Sequence, residues 1–275
     1  MWIALTTDDG YKAEGFRLLA EVALDLDAGP VVAVAPDVNR SGVGSGLRLG
    51  GRMEYAELGD GDFPVPLTVL SGGTPVDCVR YALQKHEPDL IIAGINNGAN
   101  VGHNILTSGT CCAAMFAARW GCAGVPGIAV SQHRRPEKLD LSCARDRLLP
   151  LLRAAIYFLD RYGPCGYCFA NINLADPDVR HRGAIIVEPG IGGYDGDIVR
   201  YGGEIGIQAQ FCTSFDRGMA EGGFYDDNYL ADGYDTVSLH ERPIDSSTDT
   251  TWHGGDPLEI SNGRDVQRPP GAGAG

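Results

Sequence analysis

Thr6-Thr7-Asp8-Asp9-Gly10 closes the first apolar run of the chain, Trp2–Leu5. Two adjacent carboxylates at the exit of a buried strand are unfavourable. Each loses hydration, and their like charges oppose joint ionisation. A divalent cation held between them answers both problems. An Asp-Asp-Gly turn with solvated side chains accounts for the same residues, so the reading depends on what else lies beside them. Gly94-Ile95-Asn96-Asn97-Gly98-Ala99-Asn100 follows another apolar run, Leu90–Ala93. An amide offers oxygen to a hard metal and N–H to a phosphate. A turn with Asn and Gly in left-handed conformations fits the segment as well. Thr107-Ser108-Gly109-Thr110 opens an Ala-rich helix. Ser108 caps it, and the unpaired N–H groups of such an N-terminus suit a phosphate. No G-x-S-x-G surrounds Ser108 to make it a nucleophile. His103 lies between these two motifs and reads as an exposed loop residue, acid–base work being the other reading.

Other motifs exclude function classes. Gly42-Val43-Gly44-Ser45-Gly46 has the wrong spacing, and follows the wrong strand, for a dinucleotide fingerprint. It reads instead as a loop supplying Ser41 or backbone donors. There is no P-loop. Cys165-Gly166-Tyr167-Cys168 lacks the second half of a zinc set and reads as a turn entering a strand. Net charge is −14 over 275 residues, which argues against nucleic-acid polymers. It also requires that a small phosphate ligand be met by a cation or by backbone N–H groups. No apolar run reaches the roughly 18 residues of a membrane span. No secretory leader is visible, so the eight cysteines read as reduced and the protein as cytoplasmic.

The elements that must position these groups alternate. Trp2–Thr7, Val31–Ala35, Val65–Leu70, Leu90–Ala93, Gly127–Ser131 and Cys168–Ile172 read as strands. Ala13–Leu26, Pro75–His86 (capped by Thr74), Ser108–Trp120 and Leu141–Tyr162 (kinked at Pro150) read as helices. Unbroken apolar strands in βαβ order imply a mostly parallel sheet covered on both faces. Ligands of such sheets sit beyond the carboxyl ends of the strands. The clusters at Asp8-Asp9, Asn39–Gly42 and Gly94–Asn96 therefore converge at one edge. Further on, Ala184–Val187 and Ile205–Phe211 read as the two strands of a projecting β-hairpin linked by Gly190–Gly203, and Thr236–Leu239 as a last strand. The expected organisation is an α/β core over 1–180, hairpin and oligomerisation elements over 181–245, and a partly flexible tail over 246–275. Arg48 and Tyr55 are read as surface residues.

Thr-Thr-Asp-Asp-Gly at 6–10, Val-Ala-Pro-Asp-Val-Asn-Arg-Ser-Gly at 34–42, Gly-Thr-Pro-Val-Asp-Cys-Val at 73–79, Gly-Ile-Asn-Asn-Gly-Ala-Asn at 94–100 and Ser-Gly-Thr at 108–110 resemble the SurE (survival protein E) family in order and spacing. The resemblance is strong over 1–135, fainter over 170–174 and 232–238, and absent beyond Asp245. It implies a Rossmann-like three-layer sandwich and a metal-dependent 5'/3'-nucleotidase acting on nucleoside monophosphates. It also implies a homodimer or homotetramer with exchanged C-terminal elements. Metal ligands would map onto Asp8, Asp9, Ser41 and Asn96, and phosphate contacts onto Asn96, Asn100, Ser108, Gly109 and Thr110. Thr7 replaces the family's usual Asn, Lys12-Ala13-Glu14-Gly15 its His-Ala-Pro-Gly, and Gly98-Ala99-Asn100 its Gly-Pro-Asn.

An oxygen-only ligand set of this kind favours Mg²⁺ or Mn²⁺ over zinc. Asp8 and Asp9 are then the catalytic carboxylates. One of them, Asp9 for preference, accepts a proton from water, and Asp8 as a phosphorylated nucleophile is the variant mechanism. The alternatives are a phosphatase for another phosphorylated metabolite, a nucleotide-binding protein without hydrolysis, and a nicotinamide oxidoreductase. The misplaced glycines argue against the last.

Overall fold

A computed structural model describes residues 1–59, 61–119, 124–133, 141, 143–162, 167–190, 192–201, 204–212 and 225–241. Cys165 of the C-x-x-C motif and the tail 246–275 lie outside the described residues.

The chain runs β1 (Ile3–Thr6), α1 (Glu14–Asp25), β2 (Val31–Pro36), β3 (Tyr55–Leu58), β4 (Leu67–Leu70), α2 (Pro75–Lys85) and β5 (Leu90–Asn97). A 3-10 turn at Gly102–Leu106 leads into α3 (Gly109–Arg119). Then follow β6 (Gly127–Gln132), α4 (Ala144–Tyr162), β7 (Tyr167–Leu174), β8 (Ala184–Val187), β9 (Gly193–Tyr201), β10 (Glu204–Cys212), α5 (Asp226–Ala231) and β11 (Asp235–Glu241). Nine strands form one sheet in the order β3-β4-β2-β1-β5-β6-β7-β11-β8. Pairings from β4 through β7 are parallel; β3 joins β4, and β11 joins β7, antiparallel.

Alternation along β1 shows why three layers form. Ile3 and Leu5 enter a core with Phe16, Leu19 and Val22 of α1 and Leu148, Leu152 and Leu159 of α4. Ala4, between them, faces Cys78, Val79 and Ala82 of α2 and Ala113, Ala114 and Ala117 of α3. Small residues let α3 lie close on the sheet: a Cβ on Gly127 would stand 2.1 Å from the Ala114 carbonyl oxygen. Thr74 caps α2 reciprocally. Its hydroxyl accepts the Asp77 N–H at 3.1 Å, while Asp77 accepts the Thr74 N–H at 3.0 Å. Proline stands at the first helical position, as the sequence requires.

Several expectations are corrected. The hairpin pairs β9 with β10, and Ala184–Val187 instead joins the main sheet, parallel to β11. The sheet thus draws strands from beyond residue 180, where the sequence suggested that the core closes. The strand at Leu90 runs on through Gly94-Ile95-Asn96, with a register shift after Ala93 and a cis Gly94–Ile95 peptide. Those residues are therefore the strand's end rather than a loop after it. α4 begins at Ala144 rather than Leu141 and continues through Pro150. β3 and α5 were not anticipated.

Chain direction across the sheet reverses beside β1. The chain leaves β1 for β2 and β4 on one side and returns through β5 on the other. A crevice opens at such a switch point, beyond the carboxyl ends of the two strands. Asp8 lies two residues beyond the end of β1, and Asn96 lies near the end of β5.

Candidate functional site

Asp8 is 2 % exposed. Its Oδ1 accepts the Thr110 hydroxyl at 2.5 Å, which ties the end of β1 to the first turn of α3. Burial pushes the Asp8 carboxyl up to about 6; the Thr110 hydrogen bond opposes the shift and the neighbouring Asp9 charge adds to it. Gly109 is required at this approach: a Cβ there would fall 2.8 Å from the Asp8 Cβ and 2.9 Å from its Oδ2. Gly10, with φ +88°, ends the turn where any side chain would meet the Val38 carbonyl carbon at 2.9 Å.

Asp9 is half-buried, and its two oxygens face different neighbours. Oδ1 accepts Asn39 Nδ2 at 2.9 Å, from the loop after β2. Oδ2 accepts the N–H of Asn97 at 3.0 Å, from the end of β5. The same Asn39 accepts the Ser41 N–H through its Oδ1 at 2.8 Å, so one amide links Asp9 to Ser41. Arg40 donates its N–H to the Asp8 carbonyl at 2.6 Å. Thr7 accepts the Asp9 N–H on Oγ1 at 3.1 Å and so braces the aspartate turn.

The other expected residues have definite partners. Asn96 is 9 % exposed and donates Nδ2 to the Gly98 carbonyl at 2.7 Å. Ser108 accepts the Cys111 N–H at 3.0 Å, the capping expected of it. Both the O–H and the backbone N–H of Thr110 are directed at the Asp8 carboxylate. Asn100 is held on every side: Nδ2 donates to Ser131 Oγ at 2.8 Å, its N–H to Asn173 Oδ1 at 2.8 Å, and its carbonyl accepts Asn171 and Asn173. This network fixes the start of the loop that leads to Ser108. His103 is exposed on the 3-10 turn.

Asn39, Asn97, Ser131, Asn171 and Asn173 are the residues that sequence reasoning left without roles. The polar run Asn39–Gly42 was the signal for the first; the others needed the register of β5, β6 and β7. A further anchor was not foreseen. Asp226, wholly buried, accepts the N–H of Gly190 at 2.9 Å, of Asp227 at 2.9 Å and of Gly102 at 3.2 Å. Burial pushes its carboxyl up to about 7 against those hydrogen bonds. Cys78 and Cys111 are free buried thiols, both raised by burial, and Cys112 is pushed up to about 11. None has the depressed pKa of a reactive cysteine.

Among the described residues no helix is long and apolar enough to cross a membrane.

The fold is shared with known proteins. The family profile described as "Survival protein SurE" matches residues 3–190. A "5'-nucleotidase SurE" of Geotalea daltonii is 35% identical over 203 residues, covering 72% of this chain and 76% of the relative. Its counterpart from Syntrophotalea carbinolica is 46% identical over 134 residues, covering 48% of this chain and 49% of the relative, so the chain spans about half of that protein in the alignment. The crystal structure of the SurE protein from Aquifex aeolicus superposes with a TM-score of 0.68 at 26% identity, covering 90% of this chain and 95% of that one. With a profile matching well over half of its length and the same α/β three-layer fold, this chain belongs to the Survival protein SurE family.

Proposed function

We propose that the chain is a metal-dependent phosphomonoesterase that hydrolyses nucleoside 5'- or 3'-monophosphates to nucleoside and phosphate. One observation carries the reading: a buried aspartate is locked against the N-terminus of α3 by the O–H and N–H of Thr110, so a cation-seeking carboxylate sits at a helix end whose partial positive charge suits a phosphate. The names of the curated relatives point the same way.

The donor set fits a hard divalent cation. Asp8 is buried beside a second carboxylate, no cationic side chain among the described residues bonds it, and the remaining candidates, Ser41 and Asn96, are neutral oxygens. Asp8, Asp9, Ser41 and Asn96 would hold the ion, with Mg²⁺ or Mn²⁺ favoured over zinc. When bound, it supplies Lewis-acid polarisation of the phosphoryl group and acidifies water. Asp9, steadied by Asn39 and Asn97, takes the proton of the attacking water as its oxygen bonds to phosphorus. The ester P–O bond breaks, and the nucleoside oxygen leaves with a proton from solvent. The Gly109 N–H and the positive end of α3 bind the phosphoryl oxygens and stabilise their charge, while the Thr110 hydroxyl and N–H hold Asp8 beside them. Asn100 positions the loop that delivers Ser108. Asp8 would hold the ion beside the N-terminus of α3.

The projecting β9–β10 hairpin is the proposed oligomerisation element, in a homodimer or homotetramer, and the proposed location is the cytoplasm. The test is phosphate release from a panel of nucleoside monophosphates with EDTA, Mg²⁺ or Mn²⁺, for wild type and Asp8→Asn. Release that needs the ion and vanishes in the variant is expected. Wild-type-like release from Asp8→Asn overturns the assignment.

A further inference from the structure

The turn Gly102–Leu106, which leads to Ser108, is gripped from outside by α5. The grip has an apolar part and a polar part. Leu230 packs with Ala99, Val101 and Ala175 in a small buried cluster of their own. Asp226, fully buried, accepts the Gly102 N–H on both oxygens, Oδ1 at 3.3 Å and Oδ2 at 3.2 Å. Its Oδ1 also accepts the N–H groups of Gly190 and Asp227, each at 2.9 Å. Burying an ionised carboxylate is costly. Capping α5 does not account for it: Tyr225 stands at the N-cap, and of these three donors only Asp227 belongs to the helix. The carboxylate instead collects donors that arrive from three segments, which a hydroxyl in its place could not satisfy together.

Gly102 fits this seat where a larger residue would not. Its φ is +51°, and a Cβ would stand 2.3 Å from the Gly192 carbonyl oxygen. Gly192 is itself fixed, because Asp227 Oδ2 accepts its N–H at 2.7 Å. From the seat, local bonds run to the helix. The Val101 carbonyl accepts the Asn104 N–H at 3.1 Å, and the Asn104 carbonyl accepts the N–H groups of Thr107 and Ser108, both at 3.1 Å. Residues 101–108 are thus bonded end to end, and a displacement at Gly102 is carried to Ser108. α3 beyond is held to the sheet by Ala113, Ala114 and Ala117. The proposed metal ligands Asp8, Asp9, Ser41 and Asn96 sit on other segments. We propose that Asp226 is a positioning residue for the substrate: by holding Gly102 it sets the turn that presents Ser108 to the phosphoryl group. This rests on the phosphomonoesterase reading above.

Full-length protein, as wild type, Asp226→Asn and Gly102→Ala, is assayed for phosphate release from adenosine 5'-monophosphate with Mn²⁺. Asparagine keeps an oxygen for Gly190 and Asp227 but turns its amide N–H groups toward that of Gly102. Alanine at 102 unseats the turn from the other side and leaves Asp226 in place. In both variants KM for the nucleotide is expected to rise roughly tenfold or more, with inhibition by inorganic phosphate weakened by the same factor. Mn²⁺ affinity, measured by calorimetry without nucleotide, is expected to stay within about twofold of wild type. That split separates positioning from a general loosening of the fold, which weakens both. Unchanged KM in both variants overturns the inference, as does a loss of Mn²⁺ affinity equal to the rise in KM. Wild-type protein that releases no phosphate from any nucleoside monophosphate overturns the phosphomonoesterase reading, and this inference with it.

Discussion

Replacing Thr110 by valine keeps the volume of a fully buried side chain and removes the one hydroxyl that it gives to Asp8. A hydrogen bond to a charged group contributes about 1.5–3 kcal/mol. At about 1.4 kcal/mol per pKa unit, its loss raises the Asp8 carboxyl by about 1–2 units. From a starting value of about 6, the variant then titrates near 7.5. A cation binds the ionised carboxylate, so apparent affinity follows the ionised fraction. At pH 6.5 that fraction falls from about three quarters to about one tenth, roughly an eightfold loss of apparent Mn²⁺ affinity. At pH 9 both proteins are almost fully ionised, and the difference from this source closes. The assay is phosphate release from adenosine 5'-monophosphate across a Mn²⁺ titration at the two pH values. The same ratio of metal affinities at pH 6.5 and pH 9 refutes the reasoning, because it means that Thr110 does not act through the charge on Asp8.

Three further outcomes follow from the same geometry. Gly109→Ala forces a Cβ within 2.9 Å of the Asp8 carboxylate, and phosphate release should fall about 10²-fold while circular dichroism shows a folded protein. Because the folded Asp8 carboxyl is raised above its unfolded value, the native state binds the extra proton between about pH 4 and 6. Metal-free protein should therefore lose up to about 3 kcal/mol relative to Asp8→Asn as pH climbs through that window, read by urea unfolding in EDTA. Asp226 is raised in the same sense, to about 7, so it too makes the fold less stable as pH rises toward 7. Asp226→Asn should flatten that slope in urea unfolding, whereas Asp226→Ala, which strands the Gly102 and Gly190 N–H groups, should destabilise at every pH.

What was legible in the sequence was whatever a local pattern can encode. Unbroken runs such as Val31–Ala35 require burial on both faces, and Thr74-Pro75 with Asp77 spells a helix start in four residues. That the segments around Asp8-Asp9, Asn39–Gly42 and Gly94–Asn96 lie at one edge follows from the rule that strand ends share it, and Asp9 bonds Asn39 and Asn97 there. The misses are equally physical. Tyr55–Leu58 is an edge strand whose side chains are mostly exposed, so it carries no alternation of apolar and polar residues. Gly193–Tyr201 is rich in Gly and Asp and resembles a loop, so its sequence does not mark it as the hairpin's first strand. The apolar run at Leu90 stops at Ala93, yet backbone pairing with β6 carries the strand on to Asn97. The Thr110 bond to Asp8 joins residues over a hundred positions apart, and no spacing rule reaches that far.

Asp226 has a mechanical consequence. A single carboxylate receives the backbone of Gly102, which opens the turn toward Ser108, and of Gly190, just before the projecting arm. The root of the arm and the turn that leads to Ser108 therefore hang from one peg, and removing the Asp226 carboxylate releases both at once.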